Sequence, residues 1–302
     1  MGKVSGKDLE LWFDGAEVPV ESVNFSTQFD TLDGTDSATP GDGKDTEVSR
    51  ATRSFTVDAK MYEPDGTEIT SGTLTAGQRY KVTGGSITEG SNTYAVGQIF
   101  ESDGTGTATT TNKVVPLGSR ITGKDMAFTF NGSSVPVTDI DFNLSYDELD
   151  GTDSDTTGDA KETEVSRAER ETAITGIVRD TAADLLTTSP VKKAATLEFS
   201  TTTKVAGYII PISKSIVDNV NDLVKIDYSF KWVGAPTETN MGLPAGVVKP
   251  IKIILKRGST TNKEYTGNAV ITKKSAKSNI AGMATINYTF SINGALAENV
   301  AN

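Results

Sequence analysis

Apolar and polar residues alternate strictly at four places in the chain. Leu9, Leu11 and Phe13 do so near the start, Met126, Phe128 and Phe130 near the middle, then Ile226, Tyr228, Phe230 and Trp232, and finally Ile286, Tyr288, Phe290 and Ile292. A period of two predicts strands with one buried face and one wet face. The first two runs end in Asp14-Gly15 and Asn131-Gly132, a strong short-range hairpin signal. A returning strand is expected from Val18-Pro19-Val20 through Phe25, with Pro19 near its beginning, where a missing N–H is tolerated. An acidic loop and a third strand, residues 54–62 and 171–178 in the two places, complete each segment. Residues 208–213 and 269–274 are expected to pair with the last two alternating runs as long hairpins. Residues 180–188 predict a short helix with Asp180 as N-cap. Between them, the Thr- and Gly-rich residues 64–120 carry short strand signals at 79–83, 94–100 and 113–117, and read as a small β module inserted into the scheme.

The alternating runs belong to a duplication. Residues 123–170 repeat residues 6–53 at a constant spacing of 117 (123 − 6) without a gap: Gly6-Lys7-Asp8 returns as Gly123-Lys124-Asp125, Val18-Pro19-Val20 as Val135-Pro136-Val137, and Thr46-Glu47-Val48-Ser49-Arg50-Ala51 as Thr163-Glu164-Val165-Ser166-Arg167-Ala168. A fainter repeat at a spacing of 60 (267 − 207) relates Gly207, Lys214, Ser215, Tyr228, Phe230 and Glu238 to Gly267, Lys274, Ser275, Tyr288, Phe290 and Glu298. The order is A, A, B, B, which predicts two related folding units. The simplest arrangement nests the second, residues 121–240, inside a discontinuous first, residues 1–63 and 241–302, with the insert at 64–120. The expected fold class is mainly β: two related β-sandwich domains with a short helix, plus the inserted β module.

Composition narrows the chemistry. The 302 residues include neither cysteine nor histidine, which removes Cys and His nucleophiles, His/Cys zinc sites and disulfides. No enzyme activity and no cofactor are expected. A hydrolase with paired carboxylates is a competing reading, but nothing marks any two acids as a pair. Residues 118–125, Gly-Ser-Arg-Ile-Thr-Gly-Lys-Asp, fall one residue short of a phosphate-binding loop, with a carboxylate where Ser or Thr is needed. Asp30, Asp33 and Asp36, like Asp147, Asp150 and Asp153, do not follow EF-hand order and read equally well as Asx-turn residues, so no metal is assigned. The start of the chain lacks the apolar core of a signal peptide, and no stretch reaches the roughly 18 apolar residues of a membrane helix. A soluble, cytoplasmically made protein without membrane anchoring is expected.

Charge is segregated. Of the net −11, residues 30–50 hold −4 (two basic, six acidic) and residues 147–167 hold −6 (two basic, eight acidic), whereas residues 181–302 hold +6 (fourteen basic, eight acidic). The acidic loops read as docking arms. Their candidate docking residues are Asp33, Asp36, Asp42, Glu47 and Arg50 in the first copy and Asp150, Asp153, Asp159, Glu164 and Arg167 in the second. Lys273, Lys274 and Lys277 read as a solvated loop.

Several of these residues together resemble the tail tube (major tail) proteins of long-tailed bacteriophages: Gly-Lys-Asp opening an A strand, Val-Pro-Val in the second strand, Asp147 and Asp150 followed by Thr152-Asp153, and the ending from Tyr265-Thr266-Gly267-Asn268-Ala269 through Gly282 to Ile286-Asn287-Tyr288-Thr289-Phe290-Ser291. The resemblance covers residues 1–62 and 121–300. It implies tail-tube-type sandwiches with a flanking short helix, assembled into rings around an inner β-barrel and stacked into a hollow tube for genome passage. The family carries one tube domain per subunit, six to a ring. Two per chain imply a trimeric, pseudo-hexameric ring. Lys225, Asp227, Ser229, Asn287, Thr289 and Ser291 are then expected to face the channel, where DNA passes without specific binding. The implied partners are further copies of the chain and the tape measure, tail terminator and baseplate proteins; the implied location is the virion tail, assembled in the bacterial cytoplasm. A carbohydrate-binding or adhesin-type β-sandwich is the alternative.

Overall fold

A computed structural model describes residues 9–33, 46–64, 66–96, 98–152, 161–177, 191–217, 224–257 and 260–299. The chain is mainly β, and a 3₁₀ turn at Gly123–Asp125 is the one helical element among the described residues. The helix expected at 180–188 lies outside them.

Fifteen strands form one branched antiparallel sheet built from two copies of a seven-strand arrangement. The first unit uses β1 (Leu9–Phe13), β2 (Ala16–Val18), β3 (Val20–Asp33) and β4 (Thr46–Lys60) from the first A segment, with β20 (Val248–Arg257), β21 (Thr260–Asn279) and β22 (Thr285–Asn299) from the second B segment. Its order is β2-β1-β20-β21-β22-β4-β3. The second unit uses β12 (Ala127–Phe130), β13 (Ser133–Val135), β14 (Val137–Asp150) and β15 (Thr163–Ile177), with β16 (Lys193–Glu198), β17 (Lys204–Val217) and β18 (Lys225–Trp232). Its order, β13-β12-β16-β17-β18-β15-β14, is the same. The first A segment therefore pairs with the second B segment, and the inner two pair with each other.

Equivalence extends to single residues. Val20 pairs with Ala59 and Ser22 with Asp58 across a bulge, and 117 residues later Val137 pairs with Gly176 and Asp139 with Thr175 across the same bulge. The slip between Pro211 and Ser213 on β17 recurs 60 residues on between Ile271 and Lys273 on β21. Both A hairpins turn on two consecutive residues with positive φ, Asp14-Gly15 (51° and 78°) and Asn131-Gly132 (51° and 82°). Such backbone matches the right-handed twist of the flanking strands and favours Asn, Asp and Gly.

Each seven-strand unit closes over on itself. Phe13 of β1 meets Phe290 of β22 at 5.3 Å between ring centroids although two strands lie between them in the sheet, and the equivalent Phe130 and Phe230 meet at 5.9 Å. The inward residues of both units form one continuous apolar cluster, including Leu11, Phe55, Ile271 and Phe290 from one and Phe128, Phe142, Leu197 and Phe230 from the other.

The insert holds β5 (Gly72–Thr73), β6 (Arg79–Gly84), β7 (Ser86–Glu89), β8 (Asn92–Ala95), β9 (Ile99–Glu101), β10 (Thr107–Ala108) and β11 (Lys113–Pro116) in three small sheets. Its own core comprises Leu74, Tyr80, Val82, Ile87, Phe100, Ala108 and Val114. The single strand expected at 94–100 is instead parts of two, β8 and β9, because Ala95 and Gln98 close a turn through a backbone hydrogen bond of 3.0 Å. Buried Glu89 accepts hydrogen bonds from the Ser102 hydroxyl and the Asp103 and Gly106 amides, giving its carboxylate three donors in place of water.

Three expectations need correction. The returning A strand is two strands, broken at Pro19 and Pro136, where the chain passes from pairing with β1 or β12 to pairing with β4 or β15. The acidic loops begin and end as strand: β3 continues to Asp33 and β4 begins at Thr46, while β14 continues to Asp150 and β15 begins at Thr163. The described part of each is a two-stranded arm. Lys273, Lys274 and Lys277 lie in β21 rather than in a loop, and Lys274 is only 3% exposed.

Candidate assembly surface

Side chains that point away from the core along β18, β15, β14, β21, β22 and β4 make one polar wall across both units. The Thr175 hydroxyl donates to Asp227 at 2.6 Å, Asn279 donates to Asp139 at 2.8 Å, Lys277 pairs with Asp141 at 3.1 Å, and Asn287 donates to Asp58 at 2.6 Å. Hydrogen bonds from Ser22 and then Asn287 hold the Asp58 carboxyl below the usual carboxylate range. Where the units meet, the wall is concave, with a cavity of about 530 Å³ lined by Asp139, Asp141, Thr175, Asp227, Lys277 and Asn279 among others. Lys225, Asp227, Ser229, Asn287 and Thr289 are on this side of their strands, half-buried or exposed. Ser291 does not reach the surface: it is 2% exposed and hydrogen-bonded to Thr163 at 3.0 Å.

That bond marks where the second arm goes. Thr163 also donates its amide to Asn293 at 3.3 Å, the Gly294 amide donates to the Lys161 carbonyl at 3.1 Å, and the Lys161 amide donates to the Ala51 carbonyl at 3.4 Å. The arm rooted in one unit thus lies against β22 and β4 of the other. Among the candidate docking residues, Asp150, Glu164 and Arg167 are on this arm. Asp150 accepts from the Thr152 amide at 3.1 Å as an Asx turn and lies 3.7 Å from the Lys161 ammonium. Glu47 lies in β4 opposite Leu32, Asp33 opposite Thr46, and Arg50 at the bulge that Arg167 occupies in the second copy. Asp36, Asp42, Asp153 and Asp159 lie outside the described residues.

The two units are joined along an edge. Strand β14, last in its unit, pairs with β21 of the other unit from Asp139 opposite Asn279 to Ser145 opposite Lys273. Lys274 crosses this joint to pair with Glu238 in β19 (Thr237–Thr239), which extends the second unit, and also donates to the carbonyls of Met241 at 3.2 Å and Leu243 at 3.4 Å. In the sequence Lys274 and Glu238 stand out as repeated residues, with Lys274 in a stretch that reads as a solvated loop. Their persistence in both copies was the available sign that they meet something.

The phosphate-loop resemblance has a packing explanation. A Cβ at Gly118 would lie 1.8 Å from the Glu63 carbonyl oxygen, and one at Gly123 would lie 1.7 Å from that of Asn279. Both glycines let backbones touch, and Gly123 donates its amide to Gly282 at 2.9 Å. Among the described residues no three acidic side chains converge as a metal site would require. No helix among them is long and apolar enough to cross a membrane. No family model matches the chain, and no curated protein is similar to it.

Proposed function

We propose that the chain is a structural virion protein, three copies of which close into a ring of six similar units, with rings stacking into the hollow tail tube through which phage DNA is delivered. The observation that carries this reading is the β14·β21 joint: one chain already contains two equivalent units side by side, sharing a sheet and a polar wall. Repeating that step around an axis closes a barrel, and closure removes the exposed edges that otherwise drive aggregation. Asp227, Asn287 and Thr289 would line the channel. A wall of small polar groups, acids and lysines such as Lys277 already paired with Asp141 wets the bore without holding phosphate.

The acidic arms take two roles in this reading. They clamp neighbouring units laterally, as Thr163 does on Ser291, and their acidic residues meet basic residues of the next ring. Complementary charge sets register between rings, and salt screens it beyond about 8–10 Å at physiological strength. The further partners are tape measure, terminator and baseplate proteins. Negative-stain microscopy of the purified protein tests the proposal: rings or tubes are expected, and uniformly single particles of one chain would refute it. Tubes should be shorter at high salt and after neutralising Asp150, Asp153 and Asp159; unchanged lengths would refute the charge-stacking role alone.

A further inference from the structure

Within the chain, β14 of the second unit has a strand partner on its outer side and β3 of the first unit has none among the described residues. Likewise β21 is paired from Lys273 to Asn279 on the side where β20 stops, while the matching stretch of β17 beyond Ile209 has no described strand on the side where β16 stops. Among the exposed apolar residues, Phe25 lies on the first of these edges and Ile212 and Ile216 lie on the second. Phe142 on β14 is fully buried and sits opposite fully buried Ala276; their counterparts, Phe25 on β3 and Ile216 on β17, are 51% and 61% exposed.

We infer that β3 of one copy adds to β17 of a second copy in the register that β14 and β21 already use, with Phe25 opposite Ile216. Only closure into a ring rests on the tube reading; the pairing itself follows from the duplication. Subtracting 117 from the β14 positions and 60 from the β21 positions places Ser26 opposite Ser215, Thr27 opposite Lys214 and Gln28 opposite Ser213. The occupant is a second copy because, among the described residues, β17 carries the equivalent of the β21 edge that the twin of β3 already uses. A cavity of about 430 Å³ beside that edge, lined by Phe25, Thr27, Tyr265, Ile292, Leu296 and Glu298, lies where the second unit receives the Lys274 side chain on its way to Glu238. The same operation brings the neighbour's Lys214 to Glu298, which within one chain pairs with Lys263. The contact is head-to-tail, so it generates a ring if the internal step closes on repetition and a filament if it does not.

The absence of native cysteine makes the register directly readable. Phe25→Cys with Ile216→Cys, and separately Ser26→Cys with Ser215→Cys, are introduced into the full chain and oxidised. One of these two successive pairs occupies the closer, non-hydrogen-bonded position that a disulfide tolerates. Intermolecular dimers and trimers are expected from at least one pair. Yield should exceed by roughly tenfold that of the one-residue-shifted pair Phe25→Cys with Ser215→Cys, whose side chains leave opposite faces of the sheet. Rings by microscopy without these crosslinks would overturn the register and leave the tube reading standing. Crosslinks without rings would support the pairing and count against the tube. Equal crosslinking in both registers, or none with only monomers present, would overturn the pairing. Phe25→Asp, checked for an unchanged fold by circular dichroism, should abolish assembly; normal rings from it would also overturn the proposal.

Discussion

Phe25 and Phe142 are the same residue of one repeated segment, yet the second is sealed in the core and the first is half in water. Their strands have the same length, the same bulges and the same partner on one side. The difference is the other side, where β14 meets β21 and β3 meets no described strand. Burial here is decided by what lies beyond the unit, so the two copies work as an internal control: one shows the edge with a strand beside it, the other the same edge with none among the described residues.

The sharpest way to break this comparison is truncation of both phenylalanines. Phe142→Ala should cost about 3–5 kcal/mol in urea unfolding, as expected for a large buried ring. Phe25→Ala in the unassembled chain should cost under about 1.5 kcal/mol, since much of its ring already faces solvent. Equal losses would contradict the account.

Next in size is the cross-unit ion pair. Lys274→Ala removes one partner of a largely buried pair and leaves Glu238 and two carbonyls without their donor, an expected loss of about 3 kcal/mol. Lys214→Ala, at a half-buried residue, should cost the free chain less than Lys274→Ala does and should also lower ring yield. Denaturation and ring yield, measured side by side, separate the two.

A smaller effect probes where the two cores diverge. The first unit stacks Phe55 on Phe290 at 4.5 Å, while the second has Thr172 and Trp232 at the positions of Phe55 and Ile292, with the indole N–H donating to the Thr172 hydroxyl at 2.7 Å. Thr172→Phe alone overpacks and orphans the indole. Combined with Trp232→Ile it recreates the first unit's pair, and the double mutant should recover about 1–2 kcal/mol relative to the sum of the singles. Strict additivity would mean that the two positions do not exchange volume.

The smallest effect is in acid. Asp58 has its pKa depressed in the fold, so its contribution is present above the unfolded value of 3.8 and is lost as pH falls from there through the lower folded value. Asp58→Asn should flatten that part of the stability profile while leaving neutral pH nearly unchanged. An unaltered acid limb would show that the Ser22 and Asn287 bonds to Asp58 contribute nothing.

What was legible in the sequence is what local chemistry dictates. Leu11, Phe13, Phe128 and Phe130 announce their strands by alternation, Asp14-Gly15 and Asn131-Gly132 announce their turns, and the spacing of 117 announces the duplication. The arms escape recognition as strands because Asp30, Asp33 and Glu47 break any apolar alternation along them. Strands β16 and β20 escaped because their equivalence runs at a spacing of 56, as Ala195 opposite Phe130 and Ile251 opposite Phe13 show, and so falls outside the repeat at 60. Lys274 was taken as solvated because a lysine's burial depends on Glu238, a residue of the other unit, and no pattern local to β21 reveals that pairing.

The central claim is that one chain fills two adjacent, equivalent places in a closed wall. Native mass spectrometry of the assembled ring tests it most directly. Three chains of 31.9 kDa, 95.7 kDa in total (3 × 31.9), are predicted for the ring, whereas a six-chain ring of 191.4 kDa (6 × 31.9) or a lone 31.9 kDa species would contradict it.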